Sequence, residues 1–500
     1  MIPQAAAIPL LRQPAILTVA VGYALITAAI GAWGWWRTRS AGDFFVAGRR
    51  LGPFTLALAA MAAALSGFTF IGGPGLLYSV GLGALLIFLP ASITNCLSAW
   101  VLAKRLRLLT EARGVITIPE AIGARYRSRA AQALAAMAIL VAIVGYLATN
   151  LLALGLVIDA LFGTGRSLGI WIGTAAVLAY SAGGGILAGV YTDVFQGCVM
   201  ALASVLVFLA ALRAGGGLAE ISKIILAKEP GFLGPWGTLT PLAGLSFFFV
   251  FGVGVLGQPH VLHKFFMVKD PLRLRWYPLL MTSAMLLTLL LMFGVGLTIK
   301  AKVVSGELPP LARPDDATPV FLLRFASPLL AGILFAGVAA AIMSTVNSFL
   351  NIGAAALVRD LPRALSRSLG GGAELARGRL ATLAIGAAAA LVAQASGTLV
   401  ALLGVFGWGL FASTLVPALA IGFSWKGGTR AGALASIAVG LLVTLGGETL
   451  AFLGAFRLPS GMTVSGASLL LALATYLIVS QISRRSDPDV DPDVRLVMES

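Results

Sequence analysis

Cysteine, histidine and acid are scarce in this chain. Its 500 residues include two cysteines, two histidines and 19 Asp plus Glu, and only 11% of positions are charged. The cysteines, Cys96 and Cys198, fall in or beside apolar runs, which argues against a disulfide framework. No HExxH, Ser–His pair or carboxylate dyad appears at membrane depth, so nothing supports an embedded enzyme. Basic residues outnumber acidic ones and give a formal charge of +16, which invites a nucleic-acid reading. Their distribution argues against it, because Lys and Arg sit in short loops between apolar runs.

Apolar residues are what the chain has in quantity, at 59% of positions with a mean hydropathy of +0.97. Runs of about 20 such residues recur along its length, each able to cross a bilayer core of roughly 30 Å. The chain reads as an all-α polytopic membrane protein. Thirteen membrane helices are expected, near 14–36, 53–79, 82–104, 131–160, 167–187, 190–212, 241–260, 276–299, 318–357, 380–400, 402–424, 430–453 and 462–483. The first reads as a retained helix rather than a cleaved signal. The run 318–357 exceeds one span and should begin with a loop or short outer helix. The loop 213–240 should form a short surface helix, and the charged tail 485–500 reads as disordered.

Orientation follows from basic loops. Clusters such as Arg37, Arg39, Arg49 and Arg50, or Lys264, Lys269, Arg273 and Arg275, follow odd-numbered helices. Loops after even-numbered helices are poorer, with Arg166 alone after the fourth and Arg457 alone after the twelfth. Arg12 pulls weakly the other way. The N-terminus is therefore expected outside and the C-terminus in the cytoplasm, with the chain in the plasma or inner membrane.

Two helices are interrupted. The second carries Ser66–Gly67 at mid-span, and the seventh carries Gly252, Gly254, Gly257 and Pro259. Unwound backbone at membrane depth survives only where it lines a cavity or is buried in protein. Paired interruptions in two halves point to a transporter's binding site, the other reading being close packing through small residues. Helices 2–6 and 7–11 would form two five-helix sets, about 53–212 and 241–424. The stretch "AAAIMSTVNSFLN" then places Ser344, Thr345 and Ser348 on one helical face. Spacing alone favours hydroxyls bonded back to carbonyls one turn earlier. The other reading is an oxygen-lined site for a monovalent cation.

Further motifs carry a resemblance. "DFFVAGRRLGPF", "TIPEAIGARY", "GGILAGVYTDVFQG", "GQPHVLHKFF", "AIMSTVNSFLN" and "WKGGTRAGALAS" together resemble the sodium:solute symporter family from about residue 40 to 440, with GQPH in the form of the proline-type branch. The resemblance implies a five-plus-five inverted-repeat, leucine-transporter-like core and symport of a small solute with Na+. It implies sodium ligands at the carbonyls of Ala62, Leu65 and Ala341 and the hydroxyls of Ser344 and Thr345. Asp193 would mark the sodium exit path. Substrate contacts would come from Ser66, Gly67, Phe68, Tyr146, Phe251, Val255 and Gln258. Ala64 stands where proline transporters carry an acidic residue, which counts against proline and against that branch's tight sodium coupling. Polar groups of the sugar transporters are replaced by Val250 and Val253. A monocarboxylate or amino acid fits better, with proton coupling or a transporter-like sensor as the alternatives. His260 and His263 are expected to shape a helix end rather than to bind metal. Asp159 and Glu448 should be boundary residues near outer helix ends. The implied partners are a small solute, sodium and the bilayer.

Overall fold

The computed structural model describes residues 14–46, 52–367, 370–396, 400–456, 458, 461–485 and 490–500. Arg12, Arg49, Arg50 and Arg457 lie outside the described residues. Among those described, the regular structure is helical throughout.

Thirteen membrane segments follow in chain order. They are α1 (Pro14–Arg37), α2 (Pro53–Ala64, then Phe68–Gly72 and Gly73–Val80), α3 (Leu85–Ser98, continuing to Arg113), α4 (Arg129–Phe162), α5 and α6 (the two parts of Arg166–Ala214), α7 (Pro241–Met267), α8 (Tyr277–Val304), α9 (Pro328–Ala355, continuing to Ala364), α10 (Gly371–Ala395), α11 (Val400–Leu415, continuing to Ser424), α12 (Arg430–Phe452) and α13 (Val464–Ser483). Among the described residues eleven helices are long and apolar enough to cross a bilayer, and the first half of α2 is a shorter apolar piece. Between α5 and α6 the backbone does not stop. Gly185 turns it at φ 56, where a side chain would be strained and would strike the ring of Phe44.

The short connecting elements are also present. Leu218–Lys228 is the surface helix of the 213–240 loop, and Ala317–Phe325 precedes α9. The turn Pro314–Asp316 lies so close to α2 that a Cβ on Gly75 would meet the Pro314 carbonyl. Asp315 accepts a hydrogen bond from the Val400 amide at the start of α11 (2.9 Å). One connecting turn thus touches the first helix of one five-helix set and the last helix of the other.

At the opposite end the motif "TIPEAIGARY" has a structural purpose. Thr117 caps the helix Ile118–Tyr126 and Glu120 accepts from the Ile116 amide, a variant of the capping box. Glu120 then receives Arg359 (2.8 Å) and Arg363 (2.9 Å), while Asp360 accepts from the Thr117 hydroxyl (2.7 Å). The motif after α3 is tied in this way to the end of α9.

The tail differs from expectation. Asp491 caps the helix Pro492–Glu499, which buries Val494, Val497 and Met498. Arg113 binds Asp491 and Asp493, Lys104 donates to a Ser500 backbone oxygen (2.8 Å), and Lys426 binds Glu499. Hydrogen bonds from Lys426 and Arg495 hold the Glu499 carboxyl below its usual range. Local composition suggested disorder, but three apolar side chains on one face and a counter-charged seat order the segment.

Glu120→Gln removes one charge from a buried cluster in which Arg359 still keeps Glu374 (3.2 Å). A loss of about 1–3 kcal/mol is expected, read as a lower melting temperature of the purified protein in detergent. An unchanged melting temperature would show that this cluster does not hold the two motifs together.

Candidate ion and solute site

The break in α2 releases backbone oxygens. Leu65 is extended (φ −88°, ψ 127°), so the helical ladder stops at its own bond to Met61. The Gly67 amide donates to the Asn150 side chain on α4 (2.9 Å), and the Thr69 amide donates to the Ser66 carbonyl (2.9 Å). In an unbroken helix those two amides would have served Ala63 and Leu65. Their carbonyls instead meet α9. Ser344 Oγ lies 2.7 Å from the Ala62 carbonyl and 3.1 Å from that of Ala341. Thr345 Oγ1 lies 2.8 Å from Leu65 O and 3.0 Å from both Ala63 O and Ala341 O. Every one of these residues is buried. Two hydroxyl protons face four carbonyl oxygens. The cluster is short of positive charge and carries no ionisable side chain, which suits a desolvated monovalent cation. The back-bonding reading also holds, since both hydroxyls reach Ala341 on their own helix.

Beside the break lies an aromatic-lined cavity of about 20 Å³, room for little more than one water. Phe68 stacks between Phe88 (4.9 Å between ring centroids) and Phe251 (5.9 Å), and Phe251 stacks on Trp408 (5.1 Å). Tyr146 also lines it and reaches Ser66 at 3.4 Å. Thr69 and Ser92 supply further hydroxyls. Ala64 lines this cavity too, so the acid of the proline transporters would have stood inside it. A solute can enter only after the stacked rings part.

Other residues singled out from the sequence fall elsewhere. Gly67 is a packing position, where a Cβ would come within 2.6 Å of Ala153. Val255 is buried at the α7 interruption and does not line this cavity. Gln258 bridges that interruption, donating to Gly254 O (3.0 Å) and Trp408 O (3.3 Å). His263 bonds the Phe45 carbonyl (2.7 Å), and His260 sits among Tyr146, Phe349 and Trp408. No cluster of three or more metal-ligating side chains occurs among the described residues. Asp159 accepts from the Gly165 amide at the C-terminal end of α4 (2.8 Å).

Lys264 corrects the orientation count. Counted as a loop lysine, it is 1% exposed and pairs at 2.6 Å with Asp193, itself fully buried on α6. Its place beside the apolar run hid it. Other contributors escaped the sequence reading, among them the Ala63 carbonyl, Trp408 and Asn150. Asn150 did leave a signal, as a lone amide in an apolar run four residues after Tyr146.

Comparisons with known proteins settle the family. The sodium:solute symporter family profile matches residues 44–440. The chain belongs to the sodium:solute symporter family. It is a multi-pass membrane protein of a family of sodium:solute symporters. The chain is 31% identical to the osmoregulated proline transporter OpuE of Bacillus subtilis, across 93% of its length and 94% of OpuE. It is 29% identical to a sodium/proline symporter of Staphylococcus aureus, across 95% and 94%. Among solved structures it resembles a Na+-coupled sialic acid symporter (TM-score 0.81, 18% identity, 95% and 98% covered). Mhp1, a nucleobase-cation-symport-1 family transporter, is more distant (TM-score 0.51, 19% identity, 91% and 98% covered). These last two likenesses establish the fold, the five-plus-five core begun by the interrupted helices α2 and α7.

Lys264→Gln leaves Asp193 as an unpaired buried carboxylate, an arrangement that costs about 3–5 kcal/mol. The melting temperature should fall sharply, and adding Asp193→Asn should recover most of the loss. Failure of the double variant to recover would assign Lys264 a role other than neutralising Asp193.

Proposed function

We propose that Na+ binds among the oxygens of Ala62, Leu65, Ala341, Ser344 and Thr345, and that its inward movement drives uptake of a small, partly apolar monocarboxylate or amino acid. The imbalance of two hydroxyl protons against four carbonyls carries the ion assignment. An entering cation supplies the missing positive charge, and the hydroxyls rotate to turn lone pairs toward it. The ion joins the broken part of α2 to α9 and fixes the geometry in which solute binds at the adjacent cavity. Each charge moving inward contributes about 2.3 kcal/mol per 100 mV of membrane potential.

The cavity supports the solute class. Its rings and methyls suit an apolar body, and Thr69, Ser92 and Tyr146 offer hydroxyls to a polar end. With Ala64 in place of an acid, no carboxylate is present among the described lining residues to receive an ammonium group. A monocarboxylate therefore suits it better than a zwitterion. Proline is the second reading, favoured by the names of the relatives.

Alternating access follows from the two closures. On the outer side the turn carrying Asp315 rests on α2 and α11. Toward the other face Asp193 is held by Lys264, so an ion leaving past Asp193 has to part that pair. Proton coupling has less support, because the ion cluster holds no protonatable side chain. Basic loops after odd-numbered helices support an outer N-terminus and a cytoplasmic C-terminus in the cell membrane.

Two outcomes are expected. The purified protein should melt at a higher temperature in sodium than in potassium at equal ionic strength, and Ser344→Ala should abolish that difference while barely changing the value in potassium, since one interhelical polar bond averages only ~0.6 kcal/mol. Equal melting in the two salts, with uptake that follows a pH gradient, would replace sodium by protons. In proteoliposomes carrying a sodium gradient, short-chain monocarboxylates should accumulate in preference to proline. The reverse order would make proline the substrate despite Ala64.

A further inference from the structure

Between the C-terminal helix and the ends of α11 and α13 lies a second cavity, of about 280 Å³, remote from the ion and solute site. Its lining is basic: Arg125, Arg127, Lys426, Arg484 and Arg495 all face it. Arg125 is buried and fixed, donating to the carbonyls of Gly422 (2.6 Å), Trp425 (3.1 Å) and Gly428 (3.3 Å). Those are neutral partners, so its charge is not cancelled. Lys426 and Arg495 share a single carboxylate, Glu499. Arg127 and Arg484 are exposed and have no partner among the described residues. Five cations therefore converge on one hollow, and among the described residues one carboxylate answers them.

The position of the hollow selects its occupant. Arg484 follows directly on the last turn of α13, a membrane helix. One face of α13 presents Leu470 and Leu477, 46% and 39% exposed, and Arg484 continues that face two turns beyond Leu477. An apolar stripe that leads into a cationic hollow matches a molecule with hydrocarbon chains and an anionic head. Basic pockets among membrane helices are suited to phospholipid phosphates, and each Lys or Arg near such a surface contributes about 1 kcal/mol.

We propose that this cavity binds the phosphate-bearing head of an anionic phospholipid, with the acyl chains lying along α13. The head neutralises Arg127 and Arg484 and bridges the loop after α11 to the end of α13. Because Lys426 and Arg495 also hold Glu499, the bound head lies directly beneath the docked C-terminal helix. The site does not depend on which solute or ion the protein carries.

The full-length protein is to be placed in nanodiscs of phosphatidylcholine alone or of an equal mixture with phosphatidylglycerol. Melting temperatures are compared, and retained phosphatidylglycerol is counted by native mass spectrometry. A higher melting temperature in the mixture is expected, and Arg127→Gln with Arg484→Gln should remove it and weaken lipid retention by roughly tenfold or more. Both side chains are exposed, so the fold should survive the change. Arg213→Gln with Arg324→Gln removes the same charge at exposed positions on the other face and should leave the lipid effect intact. If both double variants lose it equally, or neither does, the effect is general surface charge and the site is refuted. Inorganic phosphate in detergent forms the last arm. A full stabilisation by phosphate alone would assign the hollow to a free anion and overturn the lipid assignment.

Discussion

The break in α2 is the constraint on which the rest depends. A membrane helix that stops at mid-span leaves carbonyls that hydrocarbon cannot satisfy, each at a cost of several kcal/mol. Here α9 meets them with Ser344 and Thr345, and α4 meets the freed Gly67 amide with Asn150. Three helices are thereby held in one register by a single discontinuity. The same break opens the space in which the rings of Phe68, Phe251 and Trp408 stack. The proposed ion site and solute cavity share one cause, and neither could be shifted along α2 without the other.

Among the described residues buried charge is sparing and mostly held in pairs or clusters, with Arg125 on its three carbonyls an exception. Asp193 with Lys264 lies deep in the protein, and Glu120 with Arg359, Arg363 and Glu374 lies at the end of α9. Such pairs contribute little net stability, because desolvation offsets most of the attraction. Their effect is to penalise separation. Helices carrying opposite partners resist sliding apart until something else neutralises the charge. At the ion cluster the design is the reverse, with neutral oxygens and no fixed countercharge, so a cation can leave without stranding a carboxylate there.

Most of the architecture was legible in the sequence because apolar length and basic loops are local properties. The thirteen segments, the helix before α9 and the surface helix after α6 all follow from runs and their interruptions. The proposed sodium ligands could not be separated from ordinary back-bonding by spacing, since Ser344 and Thr345 reach Ala341 whether or not α2 is broken opposite them. Only the position of α2 adds the unpaired carbonyls. Lys264 reads as a loop residue in the sequence because hydropathy ends where the helix end remains buried by neighbours. The C-terminal helix was missed for a similar reason. Its composition is that of a solvated tail, and its order comes from Arg113, Lys104 and Lys426 elsewhere in the chain.

The hydroxyls of α9 explain how such a site can exist in two states. In a cluster of bare carbonyls, removal of a cation would leave mutual repulsion among the oxygens and the helices would part. Ser344 and Thr345 each carry a proton that can turn toward those carbonyls, at a net worth of about 1 kcal/mol per hydrogen bond. The ion-free arrangement is thus held together, though less tightly than one with a full charge at its centre. That difference ties the position of α2 to occupancy. A carboxylate at the same place would hold a cation more firmly and penalise the empty state far more. Two hydroxyls against four carbonyls give a site that can fill, bias the packing of α2 against α9, and empty again.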